Sequence, residues 1–264
     1  SRYRQEYLRR SEQGSTHMRI LFTNDDGYDS EGLHAVADLF KDDYEIAVIA
    51  PDVQRSAASA SLTMPPNTIT YREVGGYGYK VYAVSGTPVD CVKLGVKHIF
   101  TPDIVVSGIN LGRNLGGDIL YSGTVSAASD AIFLGIRAFA LSLCKKKTEI
   151  TRADFDACAA YFRAHFDMLT AIDLPKTTLL DINFPTGTPI GVKFCRMSTS
   201  SAYAGGYGQS DKGFYLADKF DNSLVSADSD ERNCLDGFIT IVPLTIDRTD
   251  YATLEKLNGE DFEL

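Results

Sequence analysis

Two adjacent acidic residues, Asp25 and Asp26, follow the short apolar run Arg19–Thr23 and precede Gly27. Because successive side chains on a strand point in opposite directions, two neighbouring carboxylates share a site only where the backbone turns. Gly27 permits such a turn. Carboxylates combined with amide and hydroxyl oxygens suit a hard cation such as Mg²⁺, Mn²⁺ or Ca²⁺, so a cation site is one interpretation. An ordinary turn with two solvated carboxylates is the other.

A second polar segment contains Arg55 and Ser56 and continues into the small residues 57–60. The guanidinium group of Arg55 offers a fork of donors that suits phosphate. The Ser56 hydroxyl would supply a neutral ligand to a cation. A surface loop with an exposed arginine is the alternative.

A glycine-rich stretch from Gly108 to Gly123 contains Asn110 and follows the apolar run Asp103–Ser107. Glycines let backbone N–H groups approach an anion, and Ser122 or Thr124 would cap a helix whose N-terminus favours negative charge. The stretch lacks both the Lys-Ser/Thr ending of a nucleotide triphosphatase loop and the Gly-x-Gly-x-x-Gly spacing of a dinucleotide site. The stretch therefore predicts either an anion site that differs from both of these motifs or a long irregular connection.

The elements around these loops alternate between strands and helices. The strand Arg19–Thr23, the helix Ser30–Lys41 and the strand Tyr44–Ala50 form one unit of about 30 residues, which implies parallel strands. In a parallel sheet, ligands bind where the chain leaves the carboxyl ends of the strands. All three polar segments follow such strands, so we expect them to converge.

The remaining pattern predicts an α/β fold with a mainly parallel, Rossmann-like three-layer sheet and a C-terminal β-rich extension. We expect residues 18–186 to form the catalytic core and residues 187–264 the extension, with a mobile loop at Ser198–Gly213. Further helices are predicted at Thr87–Lys97, Thr124–Leu134 and Thr151–Thr170. Further strands are predicted at Ser61–Thr63, Asn67–Val74, Tyr79–Val84, Asp103–Ser107, Arg137–Leu143, Thr178–Asn183, Val192–Arg196, Phe214–Leu216 and Phe238–Val242.

The chain has 264 residues, of which 44% are hydrophobic and 23% charged, an ordinary composition for a globular protein. A formal net charge of −9 argues against a nucleic acid polymer or a membrane surface as partner. No run approaches the roughly 18 apolar residues of a membrane span. Five scattered cysteines favour reduced thiols and a cytoplasmic location. Since Cys and His do not cluster, we expect oxygen ligands rather than zinc.

Residues 1–17 are polar and lack the apolar centre of a secretory signal. Residues 14–18 read like the remnant of an expression tag, so we expect residues 1–17 to be a tag or leader. A native helical arm is the alternative.

Five segments in this order together resemble the SurE family of stationary-phase survival proteins, which are metal-dependent 5′-nucleotidases and broader acid phosphatases. The likeness spans about Met18 to Pro185, and it is specific because several motifs match in sequence. The segments are Met18–Gly27, Ala50–Ser56, Ser85–Cys91, Pro102–Asn110 and Tyr121–Val125.

The resemblance implies a divalent cation, Mg²⁺ or Mn²⁺, held by four oxygen-bearing residues: Asp25, Asp26, Ser56 and Asn110. It also implies a phosphate pocket formed by Asn110, Ser122, Gly123 and Thr124, to which position adds Arg55 as a candidate. The catalytic residues would then be Asp25, Asp26, Asn110 and Ser122.

The implied reaction is hydrolysis of nucleoside 5′-monophosphates, with 3′-nucleotides and short polyphosphate as further candidate substrates. A cation would polarise a phosphoryl oxygen and activate water, while donors from Asn110 and residues 122–124 would offset developing charge. Asp26 is the candidate general base. An aspartate that acts as nucleophile through an acyl-phosphate is an alternative that the sequence leaves open.

Two other functions compete with hydrolysis. A nucleotide-sensing module without catalysis would keep the phosphate loop but need no acidic pair, and a nicotinamide-dependent oxidoreductase would need the missing glycine fingerprint.

Two departures from the family pattern limit how far the family's properties can be expected of this chain. Ala57 stands where the family usually has Gly, and residues 198–236 match poorly. Because the family commonly exchanges C-terminal segments between subunits, the resemblance implies a homodimer or homotetramer.

Overall fold

The computed structural model describes residues 18–145, 147–216 and 225–259. The expected tag or leader, residues 1–17, lies outside this part of the chain. The strands are β1 (Arg19–Thr23), β2 (Glu45–Pro51), β3 (Tyr71–Val74), β4 (Lys80–Val84), β5 (Ile104–Leu111), β6 (Arg137–Leu143), β7 (Thr178–Phe184), β8 (Gly191–Phe194), β9 (Tyr207–Ser210), β10 (Gly213–Leu216) and β11 (Phe238–Thr245). The α-helices are α1 (Glu31–Ala37), α2 (Pro88–Leu94), α3 (Gly123–Phe133), α4 (Arg152–Ala171), α5 (Asp230–Leu235) and α6 (Tyr251–Leu257).

Within the described residues, nine strands form one sheet in the order β3-β4-β2-β1-β5-β6-β7-β11-β8. Neighbouring strands from β4 through β7 run parallel, whereas β3 and β11 pair antiparallel with β4 and β7. The chain moves from β1 outward to β2 and then returns to the other side of β1 as β5. This reversal is a topological switch point, and it leaves a crevice at the carboxyl ends of β1 and β5. The predicted α/β class with a mainly parallel sheet is confirmed.

Helices cover both faces of the sheet and produce the predicted three layers. Helices α1 and α4 pack on one face around a cluster of phenylalanines, in which Phe40 and Phe166 meet edge to face at 4.8 Å. Helices α2 and α3 cover the other face with smaller residues. Because the central strands are buried on both faces, they are almost continuously apolar, as the sequence shows for β1 and β2.

Helix α2 begins where the sequence predicted. The Asp90 backbone N–H donates to the Thr87 hydroxyl at 3.1 Å, and the Thr87 N–H donates to the Asp90 carboxylate at 2.9 Å. This reciprocal capping box fixes the start of the helix. The helix ends earlier than predicted, at Leu94, and continues as a π-turn over Gly95–Ile99.

Two predicted strands do not form as expected. Ser61–Thr63 is not a strand, and Asn67–Val74 is reduced to β3. Pro65 and Pro66 lie between these two segments, and proline cannot donate a ladder hydrogen bond. In contrast, β5 runs on through residues 108–111, past an irregularity in its pairing with β6.

The polar segment Ser198–Gly213, predicted as a mobile loop, instead contains a 3₁₀ turn at Ala202–Gly205 and strand β9. Its first part docks on the core, where Ser198 and Ala202 are buried and the Gly117 N–H donates to the Ser200 carbonyl at 2.6 Å. Long-range contacts of this kind order the segment without any local apolar pattern.

The extension contributes directly to the main sheet, because β11 pairs with β7 from Thr178↔Thr245 to Asn183↔Thr240 and carries β8 on its outer edge. Strands β9 and β10 form a separate two-stranded hairpin. Among the described residues, no helix combines the length and the apolar character needed to cross a membrane.

Candidate active site

A cavity of about 600 Å³ opens at the switch point, beyond the carboxyl ends of β1 and β5. Its size lies within the range of about 300–1,000 Å³ that is typical of small-molecule sites. The residues that line it are Asp25, Ser56, Ala57, Asn110, Leu111, Gly112, Arg113, Asn114, Asp118, Tyr121, Ser122, Cys144, Lys145, Thr186, Ala202 and Tyr203. Four sequence-predicted residues, Asp25, Ser56, Asn110 and Ser122, are therefore brought together.

The turn after β1 is built by Asn24, which is fully buried. The Asn24 amide nitrogen donates to the Gly27 carbonyl at 3.0 Å and to the Ser30 hydroxyl at 2.6 Å, while its oxygen accepts from the Gly27 N–H at 3.2 Å. Gly27 has a φ of 111°, a conformation that favours glycine. The turn that two neighbouring carboxylates require is thus present.

Asp25 is buried against the start of helix α3. The Thr124 hydroxyl donates to Asp25 Oδ1 at 2.7 Å. A Cβ atom on residue 123 would lie 2.9 Å from the Asp25 Cβ, so only glycine allows this approach. The hydrogen bond and the packing hold the carboxylate in one position.

Asp26 reaches in the other direction, toward β5. Its Oδ2 accepts from the Leu111 N–H at 2.8 Å, and its Oδ1 accepts from the Gln54 amide at 2.8 Å. Beside it, the Asn110 amide nitrogen donates to the Gly112 carbonyl at 2.9 Å, which leaves the amide oxygen as the acceptor. The ends of β1 and β5 are therefore joined through a carboxylate.

The loop after β2 is tied to the acidic turn, since the Arg55 N–H donates to the Asp25 carbonyl at 2.7 Å. Ser56 follows and is exposed on the cavity wall. Ala57 has a φ of 58°, so it keeps a left-handed conformation that favours the glycine usual in the family. The Arg55 guanidinium donates to the Ser85 carbonyl at 3.3 Å and lies 3.6 Å from Asp52. It does not line the cavity.

Ser122 lines the cavity and caps α3. Its hydroxyl oxygen accepts from the Val125 N–H at 3.0 Å, so its own proton can be donated to a bound group. Gly123 and Thr124 are buried behind it and do not line the cavity. The hydroxyl of Thr124 is directed at Asp25.

The donor set fits a hard divalent cation. Asp25 and Asp26 provide carboxylate oxygens, and Ser56 and Asn110 add neutral oxygens, which are the ligands that hard divalent cations prefer. Across the described parts of the chain, no three His, Cys, Asp or Glu side chains converge as a metal site, so the neutral oxygens would complete the ligand set.

The cavity residues that the sequence analysis missed include Lys145, Thr186 and Tyr203, and the strand-end rule could have found the first two. Lys145 follows β6 and Thr186 follows β7, at the same edge as the acidic turn. The Lys145 ammonium pairs with Asp154 at 2.8 Å. No local signal indicated Tyr203, which reaches the cavity from the extension.

Comparisons with known proteins show which family this chain resembles. A sequence model of the family described as "Survival protein SurE" matches residues 20–204. A relative from Pelotomaculum thermopropionicum named 5′-nucleotidase SurE is 38% identical over 254 residues, or 91% of this chain and 94% of the relative. A relative from Proteus mirabilis named 5′/3′-nucleotidase SurE is 38% identical over 250 residues, again 91% of this chain and 94% of the relative.

A solved structure has the same fold. The SurE protein from Aquifex aeolicus matches with a TM-score of 0.78 and 30% sequence identity, over 91% of this chain and 98% of that one. The resemblance inferred from the sequence motifs is therefore confirmed, and the chain belongs to the SurE family of survival proteins.

Proposed function

We propose that this protein is a divalent-metal-dependent phosphatase that hydrolyses nucleoside monophosphates. The observation that carries the proposal is the convergence of Asp25, Ser56, Asn110 and Ser122 on one cavity at the switch point of the sheet. Family membership and the nucleotidase names of its relatives support the same activity.

The phosphate would lie between the carboxylate turn and the start of α3. Ser122 can donate its hydroxyl proton to a phosphoryl oxygen, and the N-terminus of α3 favours negative charge at this point. Asn110 would offer its second amide proton. These fixed donors would stabilise the charge that develops on the phosphoryl oxygens during transfer.

Asp25, Asp26, Ser56 and Asn110 would hold the cation, which supplies charge neutralisation and polarisation of the phosphoryl group when bound. Asp26 is partly exposed and is the candidate to accept a proton from the attacking water. Nucleophilic attack by an aspartate is the second route. Recovery of a phosphorylated aspartate after a rapid quench would replace the direct water mechanism with that route.

A non-catalytic nucleotide sensor is not favoured. Two adjacent carboxylates at a phosphate site would repel the ligand unless a cation intervenes, and a sensor gains nothing from that arrangement. The nucleotidase names of the relatives also favour catalysis. We propose 5′-monophosphates as substrates, with 3′-nucleotides and short polyphosphate as further substrates.

We also propose a homodimer or homotetramer. Large apolar side chains are exposed on the outer strand β8 and on the β9–β10 hairpin, including Phe194, Tyr207 and Phe214. Association that covers this surface would stabilise the oligomer. Light scattering coupled to gel filtration tests the proposal, and a monomer at micromolar concentration would contradict it. The five free thiols support a reducing, cytoplasmic location.

The activity is tested by release of inorganic phosphate from nucleoside 5′- and 3′-monophosphates. Each reaction is run with Mg²⁺, with Mn²⁺ and with EDTA. We expect release that depends on a divalent cation. Full activity in EDTA would contradict the metal dependence, and no release under any condition would contradict the phosphatase.

A further inference from the structure

The cavity carries an aromatic pair that the phosphate chemistry does not use. Tyr121 and Tyr203 meet edge to face, with ring centroids 5.7 Å apart and an interplanar angle of 90°. The two residues are 49% and 40% exposed, although both line the cavity. Aromatic side chains commonly line small-molecule cavities, where their faces can stack on a flat ligand.

We propose that Tyr121 and Tyr203 form the nucleobase subsite of the active site, and that Tyr203 determines how strongly the enzyme prefers substrates that carry a base. This inference rests on the proposed function. Perpendicular rings form a corner in which a planar heterocycle stacks on one ring and meets the edge of the other. Stacking of this kind tolerates any base, because every base has a π-face.

Both tyrosines are held in place by contacts on their backbones. The Ser59 N–H donates to the Tyr121 carbonyl at 3.1 Å, and the Ser59 hydroxyl donates to the Leu120 carbonyl at 2.7 Å. Tyr121 is therefore connected to the loop that carries Ser56, and it directly precedes Ser122. A base on Tyr121 would lie next to the phosphate donors.

The second tyrosine is positioned by Asp118, a buried carboxylate that also lines the cavity. Asp118 Oδ1 accepts from the Ser201 hydroxyl at 2.6 Å and from the Ala202 N–H at 2.9 Å. These two bonds fix the backbone directly before Tyr203. The subsite therefore combines one tyrosine from the glycine-rich loop of the core with one from the C-terminal extension.

The rest of the cavity wall suits a nucleoside rather than an apolar ring. Arg113, Asn114, Lys145 and Thr186 line it with polar groups that can meet ribose hydroxyls and the heteroatoms of a base. An apolar ligand would displace water from these groups and offer them no hydrogen bond in return, which is unfavourable.

The test compares adenosine 5′-monophosphate with ribose 5-phosphate, which has the same phosphate and sugar but no base. We expect Tyr203→Ala to lower kcat/KM for the nucleotide about tenfold, mainly through KM, and to change kcat/KM for ribose 5-phosphate by less than about twofold. Tyr203→Phe should keep both values near wild type, because it retains the ring.

Tyr251→Ala is the matched control, since Tyr251 is a 63% exposed tyrosine of the same extension outside the cavity. It should leave both substrates unchanged. An equal loss on both substrates with Tyr203→Ala, or no loss on the nucleotide, would overturn the subsite. If wild type releases no phosphate from either substrate, the proposed function fails instead.

Discussion

Two pairs of adjacent acidic residues, Asp25–Asp26 and Asp230–Glu231, lie at the same end of the molecule in opposite surroundings. Asp25 borders the cavity, and Asp26 is partly exposed. The Asp25 carboxylate accepts from the Thr124 hydroxyl, and the Asp26 carboxylate accepts from the Leu111 N–H and the Gln54 amide. Asp230 and Glu231 are fully buried at the start of α5.

In the buried pair, the Asp230 carboxylate accepts hydrogen bonds from the backbone and Glu231 accepts one from a side chain. Asp230 accepts from the N–H groups of Gly116, Ser198 and Glu231, each at 2.8 Å, and Glu231 accepts from the Ser200 hydroxyl. Burial raises the pKa of Asp230, although its three N–H donors oppose that shift. This pair fastens the extension to the glycine-rich loop.

The comparison supports the hypothesis that the surroundings of an acidic pair, and not its residue types, decide whether it can serve as a ligand site. Asp25 lines the cavity, and Asp26 does not line it but is partly exposed beside it, so we propose the first pair as the cation site. Three backbone donors to Asp230, together with the Ser200 hydroxyl on Glu231, make the second pair a structural clamp. Four predictions test this division of roles.

The largest effect should come from Asp25→Asn combined with Asp26→Asn. The changes preserve shape but remove both negative charges, so kcat should fall at least about a thousandfold while the urea midpoint stays near wild type. Phosphate release and circular dichroism measure the two quantities. Asp29→Asn, at an exposed aspartate of the same turn, is the control. A double variant that retains activity would contradict the assignment of Asp25 and Asp26 as cation ligands.

Asp230→Ala should act on stability instead. It leaves three backbone N–H groups without their acceptor in the interior, which predicts a loss of about 3 kcal/mol or more in the free energy of unfolding. Urea denaturation measures it. The control is Asp228→Ala, an exposed aspartate paired with Arg196, which should leave the midpoint unchanged. Similar midpoints for both variants would contradict the clamp.

Thr124→Val tests whether this residue acts through Asp25 or on phosphate directly. Loss of the hydroxyl frees the Asp25 carboxylate to move, so we expect about a tenfold weaker affinity for Mn²⁺ and an unchanged inhibition constant for inorganic phosphate. Thr124→Ser should restore both. Weaker phosphate inhibition with normal Mn²⁺ affinity would assign Thr124 to the phosphate pocket.

The smallest effect concerns a third buried carboxylate. Burial and the nearby Asp230 raise the pKa of Asp181 well above its usual value of about 4. A carboxyl group of this kind is most stabilising when protonated, so wild type should lose stability as pH rises above about 4 toward the raised pKa.

Asp181→Asn removes that titration. Its melting temperature should exceed that of wild type by an amount that grows to a few degrees between pH 4 and pH 7. Thermal unfolding at several pH values measures the difference. A difference that stays constant or shrinks with pH would contradict the assigned direction.

The sequence could predict the parts of the fold that depend on neighbouring residues. The apolar run of β1, the turn at Gly27 and the Thr87 cap all follow from local chemistry. The strand-end rule then brought the acidic turn, Ser56 and Asn110 together. Their convergence in one cavity follows from the parallel sheet and needs no other information.

Long-range contacts could not be predicted in the same way. The order of residues 198–205 depends on Asp118 and Asp230, which are far away in sequence, and the pairing of β11 with β7 depends on the sheet having an open edge. The Arg55 side chain is likewise directed by its hydrogen bond to the Ser85 carbonyl, which lies outside the Arg55 loop. Tyr203 was missed for this reason.

Direct titration of Mn²⁺ into the purified protein by calorimetry tests the central claim, that the acidic turn is a cation site. We predict one ion per chain for wild type and for Asp29→Asn, and no saturable binding for the Asp25→Asn, Asp26→Asn double variant. Equal stoichiometry and affinity in wild type and the double variant would contradict the account.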